Sequence, residues 1–195
     1  MQDPQKGKSK KRKQRQDVDL RAAAGHVSYE IRMLVFAGKR LPSYHSSPAG
    51  LGEDDKNMAL ETFLLHFRNL RAFLCPEKEL PRADDVIASD FLDKTLARDL
   101  ADSDLLSVDR ERLNKMLAHL SYSRRKYIQL GTHAWDVLAM LRVMLDQFEA
   151  FLVKLPPARR AWFPEQDWFA EARGNMDSLL KSLIADAGPS AETDE

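Results

Sequence analysis

Arg112 and His119 stand seven residues apart in the string Arg112-Leu113-Asn114-Lys115-Met116-Leu117-Ala118-His119. Seven residues is close to two turns of α-helix, so in a helix both side chains leave by the same face. Leu113, Met116, Leu117 and Leu120 form an apolar stripe beside them, which puts the pair at the flank of a buried face. A guanidinium and an imidazole on one wall suit phosphodiester chemistry. The imidazole titrates near neutrality and can take a proton from a ribose 2′-hydroxyl or protonate a 5′-oxygen leaving group, while the guanidinium stabilises charge on the phosphorus oxygens. No metal is needed for that step. The same spacing also arises by chance in helices that only pack, so it does not by itself establish an activity.

A second group lies in Leu60-Glu61-Thr62-Phe63-Leu64-Leu65-His66-Phe67-Arg68-Asn69-Leu70. His66 and Asn69 are three apart, and His66 is one helical step from Phe63, at the edge of the apolar stripe. They read either as a satisfied polar pair between helices or as the wall of a site. If that edge packs beside the one bearing Arg112 and His119, two histidines and an arginine converge on one cleft. Glu61 can pair with Arg68 or Arg112, or serve as an exposed helix former. Tyr122 and Arg124-Arg125-Lys126 extend a phosphate-binding surface or form a solvated helix end. Asp84, Asp85 and Asp90 invite a metal, although carboxylates near a helix start more often cap it. No phosphate-cradling glycine loop, His-Glu-x-x-His or nucleophile elbow is present, and the reading calls for no cofactor and no metal.

Periodicity supplies the elements that must position these groups. From Val18, residues Val27, Ile31, Leu34 and Val35 mark a first helix that is expected to stop at Leu41-Pro42. A loop over 42–55 follows, with Asp54 and Asp55 as caps. A second helix spans about 56–75, with Leu60, Phe63, Phe67, Leu70 and Leu74 on one face. One or two short helices fall between 83 and 101. The helix bearing Arg112 starts near Ser107, and a long one spans about 132–155 on Leu138, Leu141, Leu145, Phe148, Leu152 and Leu155, until Pro156-Pro157 breaks it. A last helix runs from Pro164 to about 187. No segment of useful length alternates with period two, so the chain reads as all-α: an up-and-down bundle of four to five main helices with one long irregular connection. Trp135, Trp162, Phe163, Trp168 and Phe169 seal the bundle end or, in part, form an exposed patch.

The 195 residues suffice for one domain over 18–187, and 30 cationic and 30 anionic side chains cancel overall. Residues 1–17 carry seven cations against Asp3 and Asp17, a net of +5, so the remainder carries −5. That basic tail reads as disordered, as does the acidic end 188–195. It either solubilises the chain or attracts nucleic-acid phosphates without selectivity. The single cysteine, Cys75, fits a reducing compartment and a small core residue. With no long apolar run and no signal peptide, the expectation is a cytoplasmic protein with no membrane association.

The motif Arg112, six residues, His119, on a late helix of an α-bundle, resembles the Arg-(four to six residues)-His motif of the HEPN superfamily. The wider string Leu113–Arg124, together with Leu60-Glu61 and His66-Phe67-Arg68-Asn69-Leu70, is also similar to a family of uncharacterised bacterial helical proteins, over roughly 18–155. Where HEPN nucleases often carry a polar residue after the arginine, commonly Asn, this chain has Leu113, and its nearest Asn is Asn114. The resemblance implies a homodimer that joins two Arg112/His119 pairs, with His119 as general acid and base and Arg112 stabilising the phosphorane. It implies His66, Asn69, Asn114 and Arg124 as substrate-positioning groups, and an antitoxin-like protein partner. Two expectations follow. The first is a non-catalytic helical interaction or nucleotide/RNA-binding module, dimeric. The alternative is a metal-independent endoribonuclease of HEPN type.

Overall fold

The computed structural model describes residues 14–46, 52–75, 81–92, 110–117, 135–163, 169 and 173–174. Among these, α1 spans Asp17–Ser46, α2 Glu53–Leu74, α3 Arg110–Leu117, α4 Val137–Lys154 and α5 Pro157–Arg160, with a 3-10 turn at Ala88–Asp90. No strand occurs among the described residues, and the protein is all-α as its periodicity implies. Both expected tails, apart from residues 14–17, and most of the expected last helix lie outside the described residues.

α1 buries Leu20, Ala24, Val27, Ile31, Leu34, Val35 and Leu41, most of them at three- and four-residue steps. Asp17 and Asp19 occupy its first turn, where negative charge suits the positive end of the helix dipole. The expected stop at Leu41-Pro42 is wrong, because the helix continues through Pro42 to Ser46. Proline removes one hydrogen bond and crowds the carbonyl four residues earlier. That carbonyl belongs to Gly38, whose backbone has the most freedom to tilt aside. One lost bond close to the end of a long packed helix does not terminate it.

α2 begins at Glu53, earlier than expected, on Gly52 as N-cap. Asp54 and Asp55 therefore lie inside the first turn rather than capping it. Phe63, Phe67, Leu70 and Leu74 are buried, and Cys75 closes the helix with its N–H on the Arg71 carbonyl at 2.8 Å. α1 and α2 share the most extensive helix contact among the described residues. Their direction is antiparallel: Glu30 meets His66 and Asn69, while Gly38 faces Phe63. A Cβ on Gly38 would stand 3.0 Å from Leu141 Cδ2 and 3.4 Å from Phe63 Cε2, so three helices meet where this side chain is missing.

Over 81–92 the expected short helix is reduced to one 3-10 turn. Asp85 accepts the Arg82 N–H at 2.7 Å and Asp90 the Ile87 N–H at 3.3 Å, so these carboxylates cap tight turns. α4 starts at Val137 rather than near 132, because Asp136 accepts the Ala139 N–H at 3.0 Å and sets the N-terminus there. Its buried face is wider than the stripe read from sequence, adding Met140, Met144 and Phe151, while Leu138 is only half-buried.

Phe73, Phe91, Phe148, Phe151, Phe163 and Phe169 form one cluster of rings, with Phe73 edge-on to Phe151 at 5.1 Å and Phe91 to Phe163 at 5.7 Å. Phe163 and Phe169 thus seal the core, and Trp162 packs half-buried against it. Arg159 fastens the same end by donating to the Phe91 carbonyl at 2.9 Å and to Asp17 at 3.1 Å. Arg15, counted with the basic tail, donates to the Ala83 carbonyl.

Two glycines of α1 respond oppositely to substitution. Gly25 has open space where a Cβ would go, so Gly25→Ala raises stability by about 1 kcal/mol through helix propensity. Gly38→Val drives carbon into Leu141 and Phe63 and lowers stability by about 1–3 kcal/mol. Thermal melts of the two variants moving in the same direction contradict this packing.

Candidate functional site

The polar groups of α2 are held by a residue of α1. Nδ1 of His66 donates to Glu30 Oε2 at 2.7 Å, and Asn69 Nδ2 donates to the same oxygen at 3.1 Å. A carboxylate oxygen accepts, so the imidazole meets Glu30 through an N–H on Nδ1. Tyr29, one residue before Glu30, lays its ring edge-on to the imidazole with centroids 5.7 Å apart at 77°. His66 is 6% exposed. The arrangement is a clasp across the α1–α2 seam: a buried imidazole made tolerable by a charge-assisted hydrogen bond and flanked by a phenol ring.

His66 and Asn69 are therefore brought together, and through a carboxylate that the sequence reading missed. The signal was available, since Glu30 lies three residues after Val27 and four before Leu34, on the flank of the buried stripe. Glu61 is exposed and enters no ion pair among the described residues.

α3 packs on α2, so the helices bearing Arg112 and His66 are neighbours. Leu113 is buried in the core, and Leu117 packs against it. Arg112, half-buried, lays its guanidinium over the Trp135 ring, 3.6 Å from the centroid. At that distance the cation sits on the negative face of the indole and joins α3 to the residues that open α4. Asn114 is half-buried, and its Oδ1 meets no donor among the described residues. His119 and Arg124 lie outside the described residues.

A surface that the sequence reading did not single out runs along the far side of α1. Tyr29, Met33, Phe36 and Arg40 recur at steps of four, three and four, a second stripe offset from the buried one. Tyr29 is 47% and Phe36 52% exposed. Arg40 covers one side of the Phe36 ring at 4.6 Å from its centroid. Tyr29, Arg32, Met33, Val35, Phe36 and Lys39 line a concavity of about 310 Å³. Arg32 and Lys39 enter no ion pair among the described residues. No helix among the described residues is long and apolar enough to cross a membrane. No protein-family model, curated protein or solved structure matches the chain.

Both polar contacts give measurable energetics. Glu30→Ala strands the buried His66 and costs about 1–3 kcal/mol in chemical unfolding, whereas Asn69→Ala, at an exposed position and with the His66 bond intact, costs about 1 kcal/mol or less. Equal losses contradict the clasp. For the stacked pair, a double-mutant cycle over Arg112→Ala and Trp135→Leu returns a coupling of about 0.5–2 kcal/mol. A coupling of zero removes the packing role of Arg112.

Proposed function

We propose that the protein is a non-catalytic helical binding module that receives an anionic ligand of nucleotide or RNA type on the outer face of α1. One observation carries this reading: two half-exposed aromatic rings and two cations, Arg32 and Lys39, line a single concavity on that helix, and a third cation, Arg40, lies against the Phe36 ring. Aromatic rings left in water, on a folded chain whose other phenylalanines are all buried, mark a surface kept for contact. Cations between them select for negative charge. Between residues 29 and 40 the sole carboxylate is Glu30, and it is turned into the seam with His66 and Asn69. The stacked placement of Arg112 on Trp135 supports a packing role for the arginine on which the nuclease alternative relies.

Labelled RNA incubated with the protein in EDTA separates the readings. The module retains RNA in a fluorescence anisotropy titration and leaves its length unchanged on a denaturing gel. Cleavage that disappears in both Arg112→Ala and His119→Ala replaces this reading with the metal-independent endoribonuclease.

A further inference from the structure

We propose that the α1 face takes single-stranded nucleic acid, with bases stacked on Tyr29 and Phe36 and the backbone phosphates running past Arg32 and Lys39. This rests on the binding-module reading and narrows it to one ligand class. Tyr29 and Phe36 are seven residues apart, so their rings lie on one side of the helix and about 10 Å apart along it. Every base offers a π-face, and stacking on a protein ring requires a base that is not already stacked between its neighbours. In a duplex those faces are occupied, and the two rings would be idle against it. Unpaired strands can use both.

The rings are also placed for the task. Tyr29 is braced by the His66 imidazole, itself held by Glu30, so the polar clasp of the seam orients the first platform. Phe36 carries the Arg40 guanidinium against one side and still leaves half of its surface to solvent. The guanidinium adds a cation beside the base it would neighbour. Arg32 and Lys39 fall between and after the platforms along the helix, where phosphates linking stacked bases pass. Charge complementarity is local: Arg32 and Lys39 sit on a body that, outside residues 1–17, carries a net charge of −5. Glu30, His66 and Asn69 are positioning residues in this scheme, since they reach the ligand only through Tyr29.

The test is an anisotropy titration of the full chain with one fluorescent oligonucleotide of mixed sequence, single-stranded and annealed to its complement, at two salt concentrations. Tyr29→Leu and Phe36→Leu keep apolar bulk and helix propensity but remove the stacking plane, and circular dichroism melts verify that both variants fold. Binding to the single strand is expected to exceed binding to the duplex by about tenfold, and each leucine variant to lose about tenfold on the single strand only. Arg32→Gln with Lys39→Gln flattens the dependence of log affinity on log salt by about one unit. Equal binding of single strand and duplex, unaltered by the leucine variants, overturns the stacking proposal while leaving a polyanion-binding module. Failure of the chain to bind either form overturns the module as well. Leucine variants that split a dimer in light scattering while retaining full oligonucleotide affinity overturn the proposal in favour of a contact between two copies of this chain.

Discussion

The seam between α1 and α2 is the constraint on which the rest of the described structure depends. Both helices present apolar residues at helical spacing, and apolar contact alone would tolerate a slide of one turn. Glu30, His66 and Asn69 remove that tolerance. A carboxylate and an imidazole withdrawn from water are costly unless they meet, and here one oxygen of Glu30 serves both partners. Shifting α1 by about 5.4 Å, one helical turn, would separate them and leave the buried His66 imidazole stranded. Gly38 acts in the same sense from the steric side, because only at this register does the residue without a side chain face Phe63 and Leu141.

Once that register is set, the outer face of α1 follows from helical geometry. Ile31, Leu34 and Val35 point into the core, so Tyr29, Arg32, Met33, Phe36 and Arg40 are carried to the other side of the same helix. The packing face and the outer face of α1 are therefore not independent. Tyr29 belongs to both: its ring touches His66 in the seam while nearly half of its surface stays in water. A side chain that bridges a rigid clasp and an open face loses less rotamer freedom on binding than one that stands alone, which reduces the entropic cost of ordering it.

The elements legible in the sequence are those governed by one strong periodicity. Phe63, Phe67, Leu70 and Leu74 mark α2, and the α4 stripe is visible although its width is not, because Met140, Met144 and Phe151 fill the gaps between the leucines. Boundaries are misread where a local rule competes with packing. Pro42 should end a helix in isolation, but α1 is already committed by the packed turns that precede it. For α4, Gly131 draws the expected start toward Thr132, whereas the helix begins where the Asp136 carboxylate takes the Ala139 N–H three residues on. His66 and Asn69 are recognisable as an edge pair, but their partner lies 36 and 39 residues away, and no spacing rule within one helix can name it.

Among the described residues, the cations that hold elements together contrast with those on the outer face of α1. Arg112 sits over the Trp135 ring, and Arg159 donates to the Phe91 carbonyl and Asp17, so both hold elements together. On the outer face of α1, by contrast, Arg32 and Lys39 stand beside exposed rings. In the proposed function such a surface divides the work of binding by range. On that proposal, the cations of residues 1–17 would act over a Debye length, roughly 8–10 Å at ordinary salt, and raise encounter rates without selectivity. Ring stacking acts only in contact and is insensitive to salt, so it governs dissociation. Under the proposed function, zero net charge is no obstacle to a polyanion, because what matters is where the charges stand and which apolar surfaces stand among them.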